Sequence, residues 1–167
     1  MKVNKLLVVV DMQNDFVTGV LGTKETQAIV EPMKKFIDSF DGDVLYTQDT
    51  HFQEYLSTQE GKKLPVPHCI KNTEGWQIVS QFNPEWVIAK NTFGSMVLAN
   101  IIQDAGYNEI HFVGVCTGIC VISNAVIAKA IDPEVQVIIH KDLCACVTPQ
   151  SHEAALKQME LLQMDIV

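Results

Sequence analysis

The chain has 167 residues, of which 47% are hydrophobic and 19% are charged, which is the size and composition of one compact domain. Its 20 acidic side chains outnumber its 12 basic ones, and the net charge of -8 has the wrong sign for binding nucleic acid or an anionic membrane surface. All 12 basic residues are lysines, so the planar fork with which arginine grips carboxylates is missing, and this favours a neutral substrate. We predict a single domain over residues 1–167.

Short β-branched runs alternate along the chain with longer stretches of helical periodicity. The predicted strands are residues 6–10, 44–47, 86–89, 110–115 and 135–139, with a short sixth strand at 164–167. The predicted helices are residues 28–40, 95–105, 119–130 and 149–162. This alternation predicts an α/β fold, in which a doubly wound, mostly parallel sheet of five or six strands carries helices on both faces.

Residues 50–73 form the one long stretch without a regular pattern, and it contains two prolines and two histidines. Connections longer than about 12–15 residues are usually functional in compact domains. We therefore expect this connection to contribute to a site.

The chain has five cysteines, which is an odd number, and it is large enough to fold without disulfides. Both observations argue against a disulfide framework. We expect reduced thiols and, since no cleavable leader or membrane span is evident, a cytoplasmic protein.

Reactive side chains follow four of the predicted strands. Asp11 follows the first strand, Asp49 the second and Lys90 the third, while Cys120 opens the helix after the fourth. Open parallel sheets bind ligands beyond the carboxyl ends of their strands. Taken singly, each residue is ordinary for a turn, a surface or a core. Together they suggest a thiol that the helix dipole and Lys90 push toward thiolate, with Asp11 as general base and acid.

Residues 114–120 (GVCTGIC) offer backbone N–H groups between two glycines, which suits an oxyanion hole for acyl transfer. A plain strand-to-helix turn would have the same sequence features. Cys116 competes with Cys120 as the nucleophile, and spacing alone does not exclude the remaining thiols, Cys69, Cys144 and Cys146.

A second set of candidate residues is Asp49, His51 and the distant His68. Such a set supplies three oxygen and nitrogen ligands and leaves coordination positions open, as catalytic divalent-metal sites do. Two polar histidines on a surface loop would show the same spacing, so the pattern by itself does not decide for a metal.

Three ordered motifs resemble the isochorismatase-like cysteine hydrolases, a family that includes nicotinamidases, N-carbamoylsarcosine amidases and isochorismatases. The motifs are residues 9–16 (VVDMQNDF), 90–95 (KNTFGS) and 114–125 (GVCTGICVISNA), and the resemblance spans nearly the whole chain. It implies a Rossmann-like, three-layer α/β/α fold and a hydrolase whose relatives are often homo-oligomers.

The resemblance also implies roles for individual residues. It gives a catalytic triad of Asp11, Lys90 and Cys120, and so selects Cys120 among the thiols. It places a cis peptide bond between Val115 and Cys116, and an oxyanion hole at the backbone amides of Cys116 and Cys120.

The resemblance also implies the walls of the substrate pocket. Phe16 would form an apolar wall, with Trp76 as a further wall candidate. The family often has Thr-Asp where this chain has Thr117-Gly118, which suggests a change in substrate contacts or in local hydrogen bonding and not in the triad.

By the same resemblance, Asp49, His51 and His68 would bind zinc, iron or manganese, which would hold the pyridine nitrogen of the substrate. The implied reaction is hydrolysis of a small amide through a thioester, foremost nicotinamide to nicotinate and ammonia, with no organic cofactor. One alternative keeps the triad but acts, without the metal, on another amide, a carbamoyl compound or a vinyl ether. A remote alternative is a non-catalytic phosphoacceptor module that uses Asp11, Asp49 and Lys141.

Overall fold

The structure is a computed structural model that describes residues 4–167. Its strands are β1 (Lys5–Val10), β2 (Asp43–Asp49), β3 (Val87–Lys90), β4 (Glu109–Val115), β5 (Gln136–Ala145) and β6 (Asp165–Ile166). Its helices are α1 (Asn14–Val17), α2 (Lys24–Ser39), α3 (Gln59–Lys63), α4 (Met96–Ala105), α5 (Ile122–Ile131) and α6 (Pro149–Leu161). A 3₁₀ turn covers Tyr55–Ser57, and a π-helical turn covers Thr117–Val121.

The six strands form one sheet in the order β3-β2-β1-β4-β5-β6, and every adjacent pair is parallel. The predicted doubly wound α/β fold is confirmed. The chain moves outward in one direction from β1 and in the other from β4, so the order reverses between these two strands. Ligands of such sheets bind at the carboxyl side of that reversal point, and this is where the candidate residues follow their strands.

Apolar side chains of β1 alternate between the two faces of the sheet. Leu7 and Val9 pack on one face with Ile29 and Met33 of α2. The side chains that alternate with them pack on the other face against α4, α5 and α6. Because both faces are covered, β1 is almost continuously apolar, as expected for a buried parallel strand.

Helix α2 and strand β5 extend furthest beyond the predicted ranges. Helix α2 begins at Lys24 because the Thr23 hydroxyl accepts a hydrogen bond of 3.1 Å from the Thr26 amide, which caps its first turn. Strand β5 continues through Ala145. Phe112 of β4 pairs with Ile139, the register then shifts, and pairing resumes between Gly114 and Cys144. The extension places Ala145 beside Val115, next to the candidate turn.

Gly114 allows β4 to approach β1 closely at the reversal point. Its φ of 116° lies in a region that residues with a side chain rarely adopt, and a Cβ there would overlap with the carbonyl oxygen of Val10. The close approach brings the turn after β4 next to the residue that follows β1, which is Asp11.

Residues 50–73 are more regular than predicted, since they contain the 3₁₀ turn and α3. The Thr58 hydroxyl caps α3 by accepting a hydrogen bond of 3.0 Å from the Gly61 amide. Among residues 4–167, no helix has the length and apolar character that crossing a membrane requires.

Candidate active site

Asp11 is fully buried directly after β1, where a φ of 52° turns the chain out of the strand. Its Oδ1 accepts a hydrogen bond of 2.6 Å from the Thr47 hydroxyl of the neighbouring strand β2. The carboxylate therefore has a fixed orientation toward the reversal point of the sheet.

Lys90 is the last residue of β3, and its buried ammonium group contacts both Asp11 and Cys120. Nζ lies 2.7 Å from Asp11 Oδ2 and 3.5 Å from Cys120 Sγ. It also donates a hydrogen bond of 3.1 Å to the Thr92 carbonyl oxygen. The structure thus brings together Asp11, Lys90 and Cys120, which are separated by up to 109 positions in the chain.

Burial raises the pKa of the Cys120 thiol well above its ordinary value, and the nearby Asp11 carboxylate raises it further, against the opposing effect of Lys90. Burial also raises the pKa of Asp11, although Lys90 opposes this shift. Desolvation therefore acts against the predicted push of Cys120 toward thiolate by Lys90 and the helix terminus. A thiol in this environment needs a base to take its proton when it attacks.

The turn after β4 is wrapped around one carbonyl group. The peptide bond between Val115 and Cys116 is cis, at the position where the resemblance places it. The Cys116 carbonyl oxygen accepts hydrogen bonds from the amides of Ile119 (3.0 Å) and Val121 (3.1 Å). The turn carries Cys120 into the site, where the residue is 7% exposed.

Cys116 and Cys146 form a disulfide, so the prediction of five reduced thiols is wrong for this pair. The two residues follow Val115 and Ala145, which are paired in register at the ends of β4 and β5. Adjacent strand ends place the two side chains next to each other, with a Cα–Cα distance of 4.4 Å. The remaining cysteines, Cys69, Cys120 and Cys144, are free and buried.

Asp49, His51 and His68 form a second buried cluster, whose ligand-type atoms all lie within 4.8 Å of one another. Asp49 Oδ2 is 3.0 Å from His51 Nε2 and 3.6 Å from His68 Nε2. Burial raises the pKa of Asp49, but His51, Lys90 and His68 outweigh this effect and lower it, which favours the carboxylate.

The histidines of this cluster are oriented as metal ligands usually are. His68 Nδ1 lies 2.8 Å from the Val66 carbonyl oxygen, which can only accept, so Nδ1 carries a proton and Nε2 is the ring nitrogen directed at the cluster. His51 Nε2 is buried, and no atom of residues 4–167 offers it a hydrogen bond of acceptable geometry. The residues therefore fit a divalent cation.

Cys120 of the first cluster and Asp49 and His68 of the second line one cavity of about 620 Å³, with mostly apolar walls. Phe16, the predicted wall residue, also lines this cavity. Further wall residues come from the connections before and after β3 and from the segments that follow β4 and β5, and they include Leu64, Phe93, Ile119 and Val147. A small, flat molecule in this cavity would meet the thiol and the Asp-His-His cluster together.

Comparison with known proteins agrees with this geometry, since a family model described as the isochorismatase domain matches residues 5–167. The chain belongs to the isochorismatase family. It is a hydrolase of that family, and the motif-based resemblance is confirmed. The remote alternative of a phosphoacceptor module is set aside by this membership.

Individual relatives span nearly the whole length of the chain. An uncharacterized isochorismatase family protein, PncA, of Bacillus subtilis (strain 168) is 28% identical over 172 aligned residues, covering 91% of this chain and 92% of that protein. The solved pyrazinamidase of Pyrococcus horikoshii in complex with zinc superposes with a TM-score of 0.85 at 27% identity and 98% coverage of both chains. The solved nicotinamidase PncA from Bacillus subtilis gives a TM-score of 0.80 at 25% identity, covering 98% and 99%.

Trp76 is predicted as a wall of the pocket, but the structure does not place it among the residues that line this cavity. Its indole N–H instead donates a hydrogen bond of 2.9 Å to the Thr50 hydroxyl. Its carbonyl oxygen accepts hydrogen bonds from the side chains of Gln13 and Gln48. Trp76 thus fastens the connection before β3 to the sheet.

Two residues near the site are missing from the sequence-based prediction. Glu60 of α3 places Oε1 3.7 Å from His51 Nε2 and 3.6 Å from His68 Nε2. Asn124 of α5 donates to the carbonyl oxygens of Cys120 (2.8 Å) and Phe93 (3.1 Å). Asn124 lies four residues after Cys120 inside one of the three motifs, so its position was a usable signal. Glu60 offered none, because α3 was not predicted.

Proposed function

We propose that this isochorismatase-family hydrolase is a single-domain cysteine amidohydrolase that converts nicotinamide to nicotinate and ammonia. The observation that carries the proposal is that one apolar cavity is lined both by Cys120, which contacts Lys90, and by Asp49 and His68 of the Asp-His-His cluster. The thiol cluster supports amide hydrolysis in general. The second cluster supports a substrate whose ring offers a nitrogen to a metal ion, as nicotinamide does.

In the first half of the reaction, Cys120 Sγ transfers its proton to Asp11 and attacks the amide carbon. The backbone N–H groups of Cys116 and Cys120 stabilise the negative charge on the former carbonyl oxygen. When this tetrahedral intermediate collapses, the C–N bond breaks and Asp11 returns the proton to the departing ammonia. The product of this half is a thioester on Cys120.

In the second half, Asp11 accepts a proton from water while the water oxygen attacks the thioester carbon. The same two amides stabilise the second tetrahedral intermediate, and its collapse breaks the C–S bond and releases the carboxylic acid. Asp11 gives its proton back to the Cys120 sulfur. Lys90 keeps Asp11 ionised at the start of each half, because its ammonium group lies 2.7 Å from that carboxylate.

The metal ligands in this proposal are Asp49, His51 and His68, and the Glu60 carboxylate lies close enough to complete the set. Zinc, iron or manganese suits this combination of nitrogen and oxygen donors. When bound, such an ion supplies a Lewis-acidic position for a pyridine nitrogen. The chain's own contribution is to orient the ligands and to keep the ring between Phe16 and the thiol.

Release of ammonia from nicotinamide by the zinc-, iron- or manganese-supplemented protein tests this function. We expect turnover in the wild type, none in Cys120→Ala, and near wild-type turnover in Cys144→Ala, which removes an equally buried free thiol outside the site. Turnover that survives Cys120→Ala would overturn the nucleophile. Absence of wild-type turnover of nicotinamide, with Cys120-dependent ammonia release from another small amide, would overturn the substrate and leave the amidohydrolase.

A further inference from the structure

The hydroxyl of Thr117 and Nδ1 of His152 share a hydrogen bond of 2.8 Å that joins the turn after β4 to helix α6. Neither residue takes part in the mechanism proposed above. Thr117 is fully buried and directly follows Cys116, one of the two residues whose amides form the proposed oxyanion hole. A contact at this point bears on where those amides are directed.

Thr117 is held on its backbone side as well. Its carbonyl oxygen accepts a hydrogen bond from the amide of Ile122, the first residue of α5. The Thr117 side chain is therefore the contact through which α6 can orient the peptide groups of this turn. Leaving the buried Thr117 hydroxyl without a partner is unfavourable, so the contact with His152 constrains the turn.

His152 is presented from a rigid helix start. Thr148 and Ser151 form a reciprocal capping box at the beginning of α6, and the His152 amide donates a hydrogen bond of 3.0 Å to the Thr148 carbonyl oxygen. Helix α6 also approaches the turn closely, because a Cβ at Gly118 would lie only 3.3 Å from Ala155 Cβ. The glycine that replaces the family's usual aspartate thus lies where α6 packs on the turn.

We propose that His152 is a positioning residue that, through Thr117, holds the Cys116 and Cys120 amides in the geometry that stabilises the oxyanion. The inference rests on the proposed function, since it assigns a role within that oxyanion hole. This role requires no contact of His152 with the thiol or with the substrate. Its loss affects steps that develop charge on a carbonyl oxygen and leaves other reactions of Cys120 unaffected.

Two reagents separate these reactions without requiring the natural substrate. p-Nitrophenyl acetate acylates the thiol through a tetrahedral oxyanion: the S–C bond forms, the C–O bond breaks and p-nitrophenolate leaves. Iodoacetamide alkylates the same sulfur by displacing iodide, and no carbonyl oxygen becomes an anion. The ratio of the two rates therefore reports the oxyanion hole, whereas each rate alone also reports access to Cys120 and its protonation.

Three variants and one control make the test specific. His152→Leu removes the hydrogen bond at similar volume, His152→Asn keeps a polar atom near the position of Nδ1, and Thr117→Ser keeps the hydroxyl. Gln158→Leu makes a polar-to-apolar change at an exposed position of the same helix. Circular dichroism and thermal unfolding of each variant check that α6 remains folded.

We expect His152→Leu to lower the p-nitrophenolate burst rate about 10- to 100-fold while iodoacetamide alkylation stays within about twofold of the wild type. The shorter amide of His152→Asn replaces the imidazole only in part, so this variant should keep most of the acylation rate, and Thr117→Ser and Gln158→Leu should resemble the wild type. Two outcomes in His152→Leu would leave the ratio of the two rates unchanged and would overturn the inference. Equal loss of both reactions would show a merely structural role, and no loss of either would show no role at all. Failure of nicotinamide turnover in the wild type would overturn the proposed substrate but not this result, because neither reagent depends on it.

Discussion

The Lys90 ammonium lies 3.4 Å from Asp49 Oδ1, so the cation that contacts Asp11 and Cys120 also contacts a residue of the Asp-His-His cluster. One buried positive charge therefore stands between two buried carboxylates. The carboxylates raise the pKa of Lys90 strongly, even though burial acts in the opposite direction. Lys90 therefore carries its positive charge at neutral pH.

Replacing Lys90 by Met should destabilise the protein by about 3–5 kcal/mol, since two buried carboxylates lose their cation. It should also abolish amide hydrolysis, because an uncompensated Asp11 takes up a proton and stops acting as a base. Urea unfolding and ammonia release measure the two effects. The matched control is Lys34→Met. Lys34 Nζ lies 2.6 Å from Oδ2 of Asp38 in an exposed ion pair, so the free energy of unfolding should fall by about 0.5 kcal/mol or less. Similar losses in both variants would contradict the central position of Lys90.

The pH dependence of hydrolysis should follow Asp11. Its pKa is raised by burial, and the hydrogen bond from Thr47 acts against that rise. A base works only when ionised, so activity is present above this pKa and is lost as the pH falls through it. Thr47→Val should move the acidic limb of kcat/KM upward by about one pH unit, because the hydrogen bond to the carboxylate is gone. Thr47→Ser should leave the limb in place, and an unmoved limb in Thr47→Val would exclude Asp11 as the titrating base.

Glu60→Gln should weaken zinc binding about tenfold, since a neutral amide replaces a carboxylate 3.6–3.7 Å from both histidine nitrogens. Calorimetric titration of the metal-free protein measures this. Glu54→Gln changes an exposed residue of the same connection and serves as the control. Binding should also weaken in acid, because His51 and His68 must be unprotonated to act as ligands. Equal affinities of the wild type and Glu60→Gln would remove Glu60 from the site.

Thiol titration in denaturant without a reductant should detect three thiols, because Cys116 and Cys146 are joined. Cys146→Ser should lower the unfolding free energy by about 3–4 kcal/mol, the value for a loop closed across 30 positions. Cys144→Ala is the control, and it should leave the disulfide intact and two thiols detectable. Five thiols in the untreated wild type would show that the pair is reduced.

The sequence was informative wherever a side chain follows a buried strand. Asp11, Asp49 and Lys90 were found because runs of apolar residues mark β1, β2 and β3, and parallel strands end at a common edge. Cys120 needed the family motifs, since spacing could not select among five thiols. The boundaries of β5 were missed because the polar residues between His140 and Leu143 interrupt its apolar pattern, although the strand continues past them.

Contacts between distant elements were not predictable in this way. Glu60 reaches the histidines from a short helix of five residues whose hydroxyl cap, Thr58, does not stand out in a polar connection. The Cys116–Cys146 pair depends on the register of β4 against β5, which a local irregularity alters. His152 looks like an ordinary helix residue until the packing of α6 on the turn is known.

The reversal of strand order between β1 and β4 means that the reactive centre is split between two parts of the chain. Asp11, Asp49 and Lys90 come from the N-terminal part, and Cys120 comes from the C-terminal part beyond the reversal. Neither part can assemble the centre alone, because the thiol meets its base and its cation only when β4 has docked on β1. The chemical reactivity of one sulfur atom therefore monitors formation of the longest-range contact in the sheet, which makes Cys120 an internal reporter for folding.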